Sequence, residues 1–291
     1  MSRRRVAGAL GLGALGAALA AGAGGAACGF AATVPGPAAA EPPVPDPYPG
    51  AAPAYGVVID GRLTWGRGLD DPRPPASLTK LLTALVLLGH PRWSPDATVT
   101  VGARAAAVEG SQLGLRAGES LRAADALTAL LVRSANDCAI ALVEHFAGSV
   151  EAFLPPMNAS ARALGMSGSN FGDPCGLDVP GHRSTVRDLL RLGQVAITSA
   201  PIAERVRLPR ATVTTLGPQR RSLSFVNGNA LVGRTAGVIG MKSGYTSRAG
   251  RCVIAVAERG GHQVWLAMLG AEERWWTASG LIEAAFSTLP G

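Results

Sequence analysis

Apolar positions recur at helical spacing through the middle of the chain, in residues 77–89, 123–133, 136–147, 151–164 and 184–197. Residues at i, i+3, i+4 and i+7 share one face of a helix, so each stretch predicts a helix with a buried stripe. The ends of the chain follow a different rhythm. YGVVIDGRLTWG, residues 55–66, is two short apolar runs around Asp60-Gly61, which predicts a hairpin. CVIAVAERGGHQVWLAMLG, residues 252–270, predicts a second hairpin turning near Gly260-Gly261, and residues 272–287 predict a closing helix. The pattern as a whole predicts an α/β fold: an antiparallel sheet built from both chain ends, flanking helices and a mostly helical insertion. No internal repeat is visible.

Two segments precede this pattern. Residues 1–40 begin MSRRRVAGALGLGALGAALAAGAGGAACGF, a positive head followed by an Ala-, Leu- and Gly-rich stretch. This predicts a signal peptide or an N-terminal anchor, and therefore export to an extracytoplasmic place, the cell wall or the outer face of the membrane. Three fates fit it: cleavage after Ala40, lipidation at Cys28, or retention of residues 6–27 as a membrane attachment. Residues 41–54 are dense in Pro and Ala and predict a linker, so the folded domain is expected over residues 55–291.

Charge changes this picture little. The net charge is +7, but Arg3, Arg4 and Arg5 supply three of these charges with no acid before Glu41, leaving +4 for the rest. The arginines are scattered and aromatics do not interleave with them, which argues against nucleic acid as a partner. The cysteines, Cys28, Cys138, Cys175 and Cys252, have no metal-ligand spacing. Cys252 lies in an apolar run and is expected as a buried thiol, while a Cys138–Cys175 bridge is left open.

Composition singles out two residues. Of the 27 basic side chains all but Lys80 and Lys242 are arginine. Lys80 ends Ser77-Leu78-Thr79-Lys80 at the start of an apolar helix, and residues three apart share a helix face. A serine hydroxyl becomes a nucleophile when a base takes its proton. A buried amine can be that base, whereas a guanidinium cannot be deprotonated in a protein. A second stretch, Ser134-Ala135-Asn136, puts a hydroxyl and an amide between two predicted helices, suited to relaying a proton and binding a carbonyl. A third, Lys242-Ser243-Gly244-Tyr245-Thr246, lies just before an apolar strand. There Lys242 offers positive charge and Ser243 a hydroxyl to a carboxylate. These stretches are 57 and 108 residues apart, an order that serine acyl-transfer enzymes sensitive to penicillin also show.

PPASLTKLLTAL, AGESLRAADALTALLVRSANDCAIALVEHFAGS, MNASARALGMSGSNFGDPCGLD, STVRDLL and VIGMKSGYTSRAGRCVIAVA together resemble the serine-type D-alanyl-D-alanine carboxypeptidases, the low-molecular-weight penicillin-binding proteins of peptidase family S11. The resemblance runs from about Tyr55 to Pro290 and implies a β-lactamase/transpeptidase-like fold. It implies Ser77 as the acylated residue, Lys80 as its base, Ser134 and Asn136 in the proton network, and Lys242 to Thr246 along the substrate. The backbone N–H groups of Ser77 and Tyr245 would form the oxyanion hole. The implied partners are a peptidoglycan stem peptide ending in D-Ala-D-Ala and β-lactams as inhibitors; no metal or organic cofactor is implied. Ser243 stands where this family more often has Thr, with the hydroxyl kept. The family's frequent C-terminal β-domain and amphipathic anchor have no counterpart, so attachment would come from the N-terminus.

Two rival functions share the machinery. A class A-like β-lactamase would need a glutamate placed to deacylate, and Glu144, Glu151 and Glu204 lack that context. A catalytically silent cell-wall-binding protein would not need intact Ser77, Lys80, Ser134, Asn136 and Lys242. His90, His145, His182 and His262 match no motif and are expected to be structural or exposed. Asp137 and Asp188 are expected as caps or ion-pair partners, and Asp173 as a turn residue.

Overall fold

The structure is a computed structural model that describes residues 45–289. The segment expected as leader or anchor, Cys28 included, lies outside these residues. In chain order the elements are β1 (Ala54–Ile59), β2 (Arg62–Arg67), α1 (Lys80–Leu88), β3 (Thr98–Thr100), α2 (Ala103–Ala107), β4 (Ser120–Arg122), α3 (Ala123–Val132), α4 (Asn136–Ala147), α5 (Val150–Ala163), α6 (Val186–Ala196), α7 (Ala200–Val206), β5 (Arg210–Thr214), β6 (Ser222–Val226), β7 (Val238–Thr246), β8 (Gly250–Arg259), β9 (His262–Ala271) and α8 (Arg274–Ser287).

The main sheet has the order β2-β1-β9-β8-β7, antiparallel throughout. Both hairpins turn where expected, and β1 against β9 joins the two chain ends. Successive strand residues point to opposite faces. On one face Val253, Ala255 and Ala257 pack with Leu281, Ile282 and Ala285 of α8. On the other, Cys252, Ile254 and Val256 join the core with Leu189 and Leu190 of α6. β8 is covered on both sides, which explains why CVIAVA is apolar without alternation.

Between the sheet's halves lie α1 to α7. The buried helices α3 and α4 fill the insertion, whose exposed side carries the small pairs β3–β4 and β5–β6. The hydrophobic pattern does not announce these strands. β3 and β4 are three residues long, and β5 and β6 alternate Arg, Thr and Ser with single apolar residues. Among the described residues no single helix is long and apolar enough to cross a membrane.

The structure corrects one expectation and completes two. The folded body begins before Tyr55: Tyr48 and Ala51 pack on the α8 face, Ala52 is buried, and Tyr55 donates to Asp46. This end of the Pro- and Ala-rich stretch therefore has an apolar surface to cover. Second, Lys242 to Thr246 precede the apolar strand β8 as expected, and they are themselves the second half of β7. Third, Cys138 and Cys175 are free thiols, as is Cys252. Burial pushes the Cys138 thiol well up, and Cys175 up to about 12.

Candidate active site

Pro74 and Pro75 lead the chain into a 3-10 turn, Ala76–Thr79, that runs directly into α1. Ser77 is half-buried on this turn and Lys80 is the first residue of α1, fully buried. Lys80 Nζ lies 2.8 Å from Ser77 Oγ and donates to the Cys175 carbonyl, also at 2.8 Å. Burial holds the amine below its ordinary value, against the pull of nearby groups that include the Asp173 and Asp137 carboxylates. A desolvated amine touching a serine hydroxyl is the arrangement general-base activation requires.

The loop that supplies the Cys175 carbonyl is itself braced. Asp173 Oδ1 accepts the N–H groups of Cys175, Gly176 and Leu177 at 2.8, 2.8 and 3.0 Å. Thr83 of α1 donates to the Pro174 carbonyl at 2.6 Å. Asp178 accepts from the Thr246 hydroxyl at 2.8 Å, which ties the loop to the end of β7. His182 is buried in the same loop, not exposed, with Nε2 3.0 Å from Thr79 Oγ1.

Ser134 sits in the turn between α3 and α4 at φ 67°, and Asn136 opens α4. The Asn136 amide nitrogen donates to the Glu109 carbonyl at 2.5 Å. Ser134 Oγ and Asn136 Oδ1 are buried without a partner. Unsatisfied buried polar atoms are costly and are retained chiefly where a ligand or water completes them. Asp137 and Asp188 hold loop backbone, where helix caps or ion pairs were expected. Asp137 gathers the N–H groups of Leu113, Gly114 and Leu115, and Asp188 takes that of Gly168.

The remaining wall is β7, the edge strand of the main sheet, which packs against the Ser77 turn. A Cβ on Gly244 would stand 2.7 Å from the Ser77 nitrogen, so glycine is what allows this approach. Ser243 Oγ donates to the Gly228 carbonyl at 2.6 Å, and the Gly228 N–H reaches the end of α3 at Val132. Tyr245 is exposed at the mouth. Lys242 is fully buried, with Nζ donating to the Ser243 carbonyl at 2.8 Å. Burial, then the charges of Lys80 and Arg274, hold Lys242 well below its ordinary value. Burial thus weakens the hold of both amines on a proton, and geometry distinguishes them: Lys80 Nζ lies at the serine hydroxyl, whereas Lys242 Nζ donates to the Ser243 carbonyl.

The structure thus brings the Ser77 turn and β7 into contact, links the Asn136 carbonyl to Lys80 by way of Cys175, and adds groups the sequence did not reveal. The Cys175 carbonyl has no side-chain signature. Arg274, at the start of α8, donates to the carbonyls of Gly244 and Cys252 at 2.5 and 3.0 Å. Its Nε is buried and unpartnered, and burial lowers its pKa to about 10. Nothing in the sequence separates it from the other arginines.

The buried His182 also predicts a pH effect. Desolvation lowers its pKa to about 4, against the pull of Asp173 and Asp178. The unfolded chain takes up a proton near pH 6.5 that the folded chain refuses until about pH 4, so stability falls as pH drops between these values. The loss amounts to about 3 kcal/mol at full extent. Urea denaturation of the wild type at both ends of this range should show it, and His182→Gln should lack that part of the slope. Identical pH slopes in the two proteins would contradict the assignment.

Comparison with known proteins agrees with this geometry. The D-alanyl-D-alanine carboxypeptidase family profile, Peptidase S11, matches residues 58–273. D-alanyl-D-alanine carboxypeptidase DacF of Bacillus subtilis is 29% identical over 78% of the chain, which spans 59% of that protein. DacB2 of Mycobacterium tuberculosis is 31% identical over 85% of the chain and 86% of that protein. The crystal structure of a Streptomyces DD-transpeptidase superposes with a TM-score of 0.78 at 26% identity, covering 81% of this chain and 97% of that one. The chain belongs to the D-alanyl-D-alanine carboxypeptidases of peptidase family S11.

Proposed function

We propose that this chain removes the terminal D-alanine from peptidoglycan stem peptides ending in D-Ala-D-Ala, through an acyl-enzyme on Ser77, and that β-lactams acylate the same serine. The observation that carries this is the contact of Ser77 Oγ with the buried Lys80 amine beside the open edge of β7. An extended peptide can add along such an edge. Its terminal carboxylate would lie toward Lys242, Ser243 and Arg274. The arriving carboxylate favours the charged form of Lys242, and that charge in turn keeps Lys80 neutral.

Ser77 Oγ then attacks the carbonyl carbon of the scissile bond while its proton passes to Lys80 Nζ. The oxyanion is held by the Ser77 and Tyr245 N–H groups. As the C–N bond breaks, the leaving amine of D-alanine takes a proton from Lys80 through Ser134 Oγ. Water repeats the sequence on the ester and frees Ser77. A second amine in place of water would give transfer instead of hydrolysis.

The β-lactamase alternative is not favoured. Among the described residues Lys80 Nζ bonds to Ser77 Oγ and the Cys175 carbonyl, and the nearest loop carboxylate, Asp173, is occupied by backbone. Export and attachment through residues 1–40 are part of the same proposal, since the substrate lies outside the cytoplasm. The test is incubation with a D-Ala-D-Ala peptide and, separately, a fluorescent penicillin. Free D-alanine and a lasting label are expected. Rapid penicillin turnover without D-alanine release would point to the lactamase, and neither signal to a silent binder.

A further inference from the structure

The side chains around the Ser77 turn form a directed chain of hydrogen bonds that begins at His182. The Gly172 N–H donates to His182 Nδ1 at 3.1 Å. A backbone N–H can only donate, so Nδ1 is the bare nitrogen and the ring proton of the neutral imidazole sits on Nε2. Nε2 therefore donates to Thr79 Oγ1 at 3.0 Å, and Thr79 Oγ1 passes its own proton to the Ala76 carbonyl at 2.8 Å. Every link has one direction. The ring is buried, with Phe171 edge-on against it at 5.6 Å between centroids.

The chain ends on a consequential atom. The Ala76 carbonyl belongs to the same peptide group as the Ser77 N–H, the donor assigned above to the oxyanion. A peptide unit is planar and rigid, so fixing its C=O fixes its N–H. That unit follows Ala76 at φ 48°, a left-handed conformation that a non-glycine residue holds only when its surroundings enforce it.

We propose that His182 is a positioning residue for acylation, which aims the Ser77 N–H at the developing oxyanion by way of Thr79 and the Ala76 carbonyl. It touches neither substrate nor Ser77. The proposal rests on the acyl-enzyme reading of Ser77 and adds to it a route from the 172–182 loop to the oxyanion hole. Donors that meet charge developing in the transition state act on kcat more than on substrate binding. The chain's loss should accordingly appear in kcat and in the penicillin acylation rate, with KM little changed.

The experiment compares wild type with Thr79→Val, His182→Phe, the double variant and His182→Gln. Each is measured for melting temperature, kcat and KM of D-alanine release, and penicillin acylation rate per folded molecule. Thr79→Val keeps the side-chain shape and deletes one link. His182→Phe keeps the ring and deletes another. Removing an oxyanion donor outright lowers kcat about 10²–10³-fold, so loosening one should lower it by about tenfold or more. The double variant should be no slower than the slower single, because both cut one chain. His182→Gln, whose carboxamide has an acceptor and a donor, should recover to within about threefold of wild type. A folded Thr79→Val or His182→Phe at wild-type kcat would overturn the proposal, as would additive losses or a His182→Gln no better than His182→Phe. If wild type is not labelled at Ser77, the acyl-enzyme reading and this proposal fall together. Labelling with unaltered variants removes this proposal alone.

Discussion

Lys80→Arg should abolish acylation of Ser77, with a loss of about a thousandfold or more, comparable to removing a general base outright. The change keeps positive charge on a somewhat longer side chain, so electrostatics alone would forgive it. It removes the ability to accept a proton, since a guanidinium stays charged under all relevant conditions. The structure sharpens the argument. Lys80 is fully buried, with Nζ held between Ser77 Oγ and the Cys175 carbonyl, both at 2.8 Å, and burial lowers its proton affinity. The stopped-flow penicillin acylation rate, taken alongside the melting temperature, is the check. A folded variant within tenfold of wild type would remove Lys80 from the role of base. Lys242→Arg is the milder change. The charge that faces the carboxylate survives, but a larger head must fit a fully buried slot, so KM should rise by about tenfold or more while acylation remains measurable.

Gly176→Ala should be the most damaging small substitution outside the catalytic residues. Gly176 has φ +87°, and a Cβ there would stand 2.0 Å from the Ala76 carbonyl oxygen and 2.9 Å from Thr79 Oγ1. The positive φ alone costs about 1–2 kcal/mol for a residue with a side chain. The clash is with backbone, so relief requires the loop and the Ser77 turn to separate, which also withdraws the Cys175 carbonyl from Lys80. Gly181→Ala is the control. It has a similar φ, +74°, but its Cβ would meet only Asn170 Nδ2 at 3.7 Å. Gly181→Ala should lose stability and keep its acylation rate per folded molecule. Gly176→Ala should lose both, with the rate down by about a hundredfold, the scale of a misplaced catalytic geometry. Equal behaviour of the two would mean the loop does not brace the turn.

How far the sequence revealed this site depends on how each residue is recognised. Ser77 and Lys80 were legible because three residues on one helical run suffice to bring them together, and because lysine is rare in this chain. Ser134 and Asn136 were legible by their place between two strongly periodic helices. The sheet was legible from its two hairpins, but β7 was not. KSGYT carries Lys, Ser and Gly where a strand pattern expects apolar alternation, because this edge strand packs against the Ser77 turn. His182, Arg274 and the Cys175 carbonyl were illegible for one common reason. Each acts through a backbone carbonyl or hydroxyl brought near by tertiary folding, and no local spacing records that. The Cys138–Cys175 bridge left open by the sequence is not made, since pairing of cysteine counts cannot report burial.

The central claim is that Ser77 is the acylated nucleophile. Its most direct test is peptide mass mapping after brief exposure to benzylpenicillin. The wild type should carry one intact penicilloyl adduct, on the peptide containing Ser77, and Ser77→Ala should carry none and release no D-alanine. An adduct on any other residue, or undiminished D-alanine release by Ser77→Ala, would contradict the account.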